Sequence, residues 1–390
     1  MSVASLTEAL RPAAQAVPGS LIGTIFEYGR DRPDLIPLWF GESDVPTPAF
    51  IKDAAEQALA DGLTKYTDKR GVTPLREALS TYLSDLYGVP IGENRIRAAA
   101  SGMSAIMIAL QMLVEPGKNI VFITPLWPNA ASATRILGGE VREVPLDVNQ
   151  HHEHVLDVDK LFAAFDENTV AVFIASPSNP TGWTMREAKM RLILEECRRR
   201  GIWILADEVY ARLCYDRHVA PSFLEIADPE DRLIVINSFS KTWCMTGWRL
   251  GWAVVPASIA RTFEKLTEFN TSGATTFVQW AGVAAVKGGE VFLEEQKRIC
   301  QANRDRIQAR LGQLPRVRLA KAPASFYAWF SVEGEPDSVA LAKRLVDEAG
   351  VGLAPGAAFG AGGEGHLRLC FASSPETIEK ALDRLVAALS

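Results

Sequence analysis

From about residue 96 onward, short apolar runs rich in Ile, Val, Phe and Ala alternate with longer segments of helical periodicity. That rhythm leaves few folds open, because parallel strands need long crossover connections, and the helices that make them then cover the sheet. IRAAAS, NIVFIT, VREVPL, TVAVFIAS, WILADEVY and RLIVINSFSK read as strands, and at least five belong to one sheet. GMSAIMIALQMLV, a stretch after Pro128, residues near 157 to 165 and MREAKMRLILEECRRRG read as the helices between them. The last of these ends in basic residues and Gly201, as suits the negative end of a helix dipole. The expected class is therefore α/β.

Beyond about residue 285 the texture changes. A long polar helix is followed by VRLA, SFYAWFSV, another helix, VGLAPG, HLRLCFAS and a terminal helix, which reads as a smaller α+β domain. The opening residues carry Pro12, Pro18, Pro33 and Pro37 with little periodicity and read as an arm and a connecting strand. The expected division is 1–45 as N-terminal arm and part of the small domain, 46–285 as the large domain, and 286–390 as the small C-terminal domain.

Composition excludes several partners. Forty-one Lys plus Arg against 47 Asp plus Glu give a formal net charge of −6, which supplies no basic field for nucleic acid or an anionic membrane surface. The start lacks the basic and continuous apolar regions of a secretory signal, and no apolar run approaches the roughly 18 residues of a membrane helix, so a cytoplasmic location is expected. Five scattered cysteines without a CxxC pair imply buried thiols rather than disulfides or zinc. His151, His152, Glu153 and His154 lie in a polar stretch that reads as a solvated loop, and no metal is expected.

Ligands of open α/β sheets bind beyond the carboxyl ends of the strands. The residues there are Ser101 and Gly102, Trp127, Asn179, Asp207 and Tyr210, then Ser238, Ser240 and Lys241. Singly, each has a plain structural explanation as a cap, turn or loop residue; together they converge on one edge. Ser101 and Gly102 open a helix suited to an anion, yet neither GxxxxGK nor GxGxxG is present, so a nucleotide fold is poorly supported. Ser238 and Arg249 offer a hydroxyl and a cation to the same phosphate. Lys241, at a buried strand end, is expected to have a lowered pKa and to act as a Schiff-base nucleophile. Asp207 then needs a cation, for which a protonated pyridine nitrogen serves, and Trp127 can stack on a flat ring.

SPSNPTG, ADEVY, SFSKTWCMTGWRLGW and HLRLCF, in that order, resemble the class I and II aminotransferases that use pyridoxal 5′-phosphate. LWFGESDVPTP, KYTDKRGVTPLREAL, ASGMSAI and the PLW turn extend the resemblance over residues 35 to 370. It implies the fold type I architecture, a large cofactor-binding domain with a mostly parallel seven-stranded sheet between helices plus the smaller α+β domain. It also implies that Lys241 carries the cofactor, Asp207 pairs with its ring nitrogen, Tyr210 and Asn179 hydrogen-bond its phenolic oxygen, and Trp127 stacks on it. Ser101, Gly102, the Met103 backbone, Ser238 and Arg249 hold the phosphate, joined by Tyr66 from a neighbouring subunit of a homodimer. Arg368 and the Gly41 backbone take the substrate α-carboxylate.

The activity so implied is ping-pong transfer of an amino group between an L-amino acid and a 2-oxo acid. Met103 stands where some members that prefer acidic substrates carry a cation, which ranks a broad aminotransferase above a strict aspartate enzyme. Trp39, Phe40 and Phe326 suit an apolar pocket lining and core packing equally well, and Arg30 offers a cation from the N-terminal segment. The rivals are a carbon–sulfur β-lyase on the same fold and a non-catalytic cofactor-binding regulatory module. The latter needs an attached interaction segment, which the little-basic N-terminus does not supply.

Overall fold

The computed structural model describes residue 6 and residues 8–390. Its centre is a seven-stranded sheet of β1 (Ile96–Ala99), β2 (Asn119–Thr124), β3 (Glu140–Pro145), β4 (Thr169–Ala175), β5 (Trp203–Asp207), β6 (Leu233–Ser238) and β7 (Gly251–Val254). The spatial order is β1-β7-β6-β5-β4-β2-β3. The pairs β3·β2, β2·β4, β4·β5 and β5·β6 are parallel, and β7 runs antiparallel to both β6 and β1. The carboxyl ends of the other six strands consequently share one edge.

Alternation along each strand feeds two cores, one on each face of the sheet. Ile120, Phe122, Phe173, Leu205 and Ile236 pack with Ile106, Leu110 and Phe263. Val121, Ile123, Val172, Ile174, Ile204 and Val235 pack on the other face with Leu75, Ile193 and Leu194. Every residue of β2 is buried, which is why NIVFIT reads as an unbroken apolar run. Helix Glu187–Arg200 ends as expected, with three arginines in its last turn and Gly201 in the left-handed region at φ 71°.

A second core surrounds a four-stranded antiparallel sheet of β8 (Val317–Leu319), β9 (Tyr327–Val332), β10 (Ala354–Pro355) and β11 (His366–Cys370), in the order β8-β9-β11-β10. Helices Glu290–Arg310, Ser338–Glu348 and Pro375–Leu389 contribute to it. So does the N-terminal segment, which holds more than an arm and a strand. Helix Leu21–Gly29, capped by the Ser20 hydroxyl, inserts Ile22 and Ile25 into this core, and Ile36, Leu38 and Trp39 follow. The helix is short and only two turns bear on the core, so its apolar periodicity is weak in the sequence. Ile36–Pro37 adds a parallel pairing with Val351–Gly352, where a side chain on Gly352 would meet the Trp39 ring at 2.1 Å.

His151 and His152 are exposed and His154 half-buried, in and beside a turn between two short paired strands, and the four-residue cluster does not gather as a metal site. Cys197, Cys214, Cys300 and Cys370 are buried thiols, and Cys244 is half-buried. Among the described residues, no helix is long and apolar enough to cross a membrane.

Candidate active site

The strand ends and the second sheet enclose a cavity of about 240 Å³. On the large-sheet side it is lined by Asn179 after β4, Asp207 at the end of β5, Ser238 at the end of β6 and Lys241 in the short helix Phe239–Thr242. Gly102 and Met103, which begin helix Gly102–Leu113, and Trp127 and Arg249 complete that wall. On the other side stand Gly41, Tyr327 and Arg368.

Lys241 is half-buried, with its Nζ donating to the Gly41 carbonyl at 2.7 Å. Burial lowers its pKa to about 8, with Arg368 and Arg249 pushing the same way and Cys370 and Glu42 opposing. Burial raises the Asp207 carboxyl to about 6, against the pull of the Val209 N–H and the Lys241 charge. Its sole hydrogen bond given by the described residues is that Val209 N–H, at 3.3 Å. A buried carboxylate so thinly partnered is costly unless a cation joins it.

Arg368 is 2% exposed. Its Nη1 donates to Asn179 Oδ1 at 2.9 Å and its Nη2 to the Trp39 carbonyl, while Nε has no partner. The guanidinium lies over the rings of Tyr327 and Phe359, at 4.5 and 5.0 Å from their centroids. Arg368 stands in the middle of β11, not at a strand end, with Leu367 and Leu369 turned into the core. Asn179 uses its carbonyl oxygen on Arg368, which leaves its NH2 to donate elsewhere.

At the opposite end, Ser238 accepts from the Ser240 N–H at 3.1 Å and donates to the Ser240 hydroxyl at 2.9 Å. Arg249 adopts a left-handed conformation, φ 53°, with Nη1 on the Thr246 carbonyl at 2.6 Å. Backbones are pressed together here: a side chain on Gly251 would meet the Gly102 nitrogen at 2.5 Å. Ser101 does not line the cavity; its hydroxyl caps the helix by accepting from the Ser104 N–H at 2.9 Å. Tyr66 is also outside it, 93% exposed on the chain surface.

Some substrate-side expectations change. Of the three aromatic candidates only Phe40 lines the cavity. Trp39 is held edge-on to Phe26 and faces a neighbouring groove, and Phe326 packs edge-on against Tyr210 at 5.4 Å in the second core. Arg30 lines the neighbouring groove and pairs with Asp31 at 3.5 Å. Tyr327 is the notable omission. Its hydroxyl shares a 2.7 Å hydrogen bond with that of Tyr210, and any side chain at Gly41 would meet it at 2.0 Å. The signal available was alternation in SFYAWF, which puts Tyr327 and Trp329 on the face opposite Phe326 and Phe330.

The donor set fits pyridoxal 5′-phosphate. A helix N-terminus with Ser238 and Arg249 suits its phosphate, the under-partnered Asp207 its cationic ring nitrogen, and a half-buried, easily deprotonated lysine its aldehyde carbon. Fold and site together define a fold type I transferase built around that cofactor.

Comparison with known proteins agrees. The family model for aminotransferase class I and II matches residues 33–385. The aspartate aminotransferase of Pyrococcus horikoshii is 31% identical over 95% of this chain and 94% of its own length. The aspartate/prephenate aminotransferase of Thermus thermophilus is 30% identical over 98% and 97%. The Thermus thermophilus aspartate aminotransferase structure with maleate superimposes with a TM-score of 0.90 at 29% identity, covering 98% of this chain and all of that one. The chain belongs to the class I and II aminotransferases, and is a pyridoxal 5′-phosphate-dependent enzyme that transfers amino groups between amino acids and 2-oxo acids.

Proposed function

We propose that this cavity is the transfer site, with Lys241 as covalent anchor and proton carrier. The observation that carries the reading is the convergence of a half-buried lysine of depressed pKa, an under-partnered buried carboxylate and a fixed guanidinium on one cavity. Bound pyridoxal 5′-phosphate supplies an electron sink for the pair released when the substrate Cα–H bond breaks.

Asp207 holds the proton on the ring nitrogen. Tyr210 and the Asn179 NH2 donate to the phenolic oxygen, and Trp127 covers one ring face. The Gly102 and Met103 N–H groups, Ser238 and Arg249 bind the phosphate, with Ser101 fixing the helix start. Arg368, with the Gly41 backbone, clamps the α-carboxylate and so sets which Cα bond faces Lys241. Lys241 Nζ, facing the Gly41 carbonyl in the cavity, would be the group that accepts the substrate Cα proton and carries it.

In this reading residues 46–285 hold the cofactor, while 286–390 with part of 1–45 close the substrate side. Tyr66, exposed on one chain, reaches the phosphate of a partner chain in a homodimer, giving two equal sites. The location is cytoplasmic. The test is to incubate the purified protein with an amino acid panel and 2-oxoglutarate: oxo acid and glutamate are expected, with parallel initial-rate lines. Ammonia and pyruvate without glutamate would overturn the reading in favour of β-elimination.

A further inference from the structure

We propose that the substrate side chain received by this cavity is apolar, an aromatic or branched hydrocarbon rather than a second carboxylate. The inference rests on the transferase reading above and adds the substrate class to it. Among the described residues, the cations lining the cavity are Lys241, Arg249 and Arg368. Each is committed. Lys241 is the reacting amine, Arg249 stands on the phosphate side beside Ser238, and Arg368 serves the α-carboxylate.

Arg368 cannot swing to serve two anions. Tyr327 and Phe359 cover its guanidinium, and Asn179 and the Trp39 carbonyl hold its two terminal nitrogens. Arg30 and Arg32, further cations of the N-terminal segment, line the neighbouring groove and pair with Asp31 and Asp347. Toward the substrate side the remaining lining includes Ile22 and Phe40, whereas Met103 and Ile106 belong to the helix assigned to the phosphate. Among the described residues of this chain a distal carboxylate would therefore be desolvated without a partner, whereas a hydrocarbon gains by burial.

The experiment uses the cofactor-loaded protein. Its visible absorbance is titrated with two non-reacting acids, maleate and 3-phenylpropionate, and kcat/KM is measured for L-phenylalanine, L-leucine and L-aspartate with 2-oxoglutarate. We expect 3-phenylpropionate to bind the more tightly. We also expect the better of the two apolar amino acids to exceed aspartate by on the order of a hundredfold in kcat/KM, the scale on which an apolar pocket discriminates. Tighter maleate binding with aspartate preferred, as a cation from a second copy would produce, overturns the substrate class and leaves amino transfer standing. Amino transfer from none of the three overturns the underlying reading instead.

Discussion

The two walls of the cavity are built on different principles. On the large-sheet side Asp207 closes β5, Ser238 closes β6, Lys241 follows within a turn and Asn179 lies beyond β4, while Arg249 precedes the antiparallel β7, whose start shares that edge. On the facing side Arg368 stands mid-strand in β11, and Tyr327 opens β9 opposite Cys370 in the ladder. Strand-end residues are free of the ladder and can be packed with chemistry in consecutive positions, as in ADEVY and SFSK. Mid-strand residues reach the cavity only on alternate positions, and their neighbours must remain core. One wall therefore carries reactive groups and the other carries rigid positioning groups. Substitutions on the two sides should fail in different ways.

The largest effect is expected from Lys241→Ala on the reactive wall. Turnover should fall by on the order of 10⁴-fold or more, and the visible band of the lysine-bound cofactor should vanish while noncovalent cofactor is retained. Stopped-time assays and absorbance spectra of the purified variant check both. Native-rate transfer by the variant would break the assignment of chemistry to that wall.

Arg368→Ala should come next and fail differently. Removing the guanidinium leaves Asn179 Oδ1 and the Trp39 carbonyl without their buried donor as well as deleting the carboxylate clamp. Truncating a buried, hydrogen-bonded charge of this kind costs about 2–5 kcal/mol, so kcat/KM should drop roughly a hundredfold or more. The visible cofactor band should persist. If the band disappeared with the activity, the distinction between the walls would be lost.

A pH experiment sharpens the same contrast on a smaller scale. Only the neutral amine attacks a carbonyl, and burial brings the Lys241 pKa down to about 8 in the ligand-free protein. The rate of cofactor capture should rise about tenfold per pH unit well below that value and level off above it. A rate still climbing tenfold between about pH 9 and 10, as for an unperturbed lysine, would show that the wall does not activate its nucleophile.

How much of this was legible in the sequence follows from the same difference. The parallel strands showed because fully buried strands are continuous apolar runs, and the reactive wall showed because its residues cluster in short segments after those runs. The facing wall did so only in part. Arg368 was legible through the family resemblance of HLRLCF, but nothing local to HLRLC placed it at the strand centre. Trp39 and Phe326 have the composition of a pocket lining, yet both turn into the second core, where Gly352 and Tyr210 shape the space they fill. Helix Leu21–Gly29 escaped because two buried isoleucines in a segment flanked by prolines make too short a pattern. Tyr327 escaped because an aromatic in an apolar strand is usually core, and its partner Tyr210 lies over a hundred residues away in sequence.

That tyrosine pair joins the walls, as do the Lys241–Gly41 and Arg368–Asn179 hydrogen bonds, and it gives the smallest and most discriminating test. Tyr327→Phe keeps the ring under the Arg368 guanidinium and removes only the hydroxyl that bonds Tyr210 at 2.7 Å. The loss of one such hydrogen bond is worth about 1 kcal/mol, so kcat/KM should fall only severalfold. The cofactor spectrum should change more tellingly. Tyr210, no longer oriented from the facing wall, would hydrogen-bond the cofactor's phenolic oxygen differently, and the pH midpoint of the visible band should move. A Tyr327→Leu variant would remove the ring as well and should add an Arg368-type loss in substrate binding. If Tyr327→Phe matches the native protein in both rate and spectrum while Tyr327→Leu does not, Tyr327 acts only as packing, and its hydroxyl does not couple the two walls.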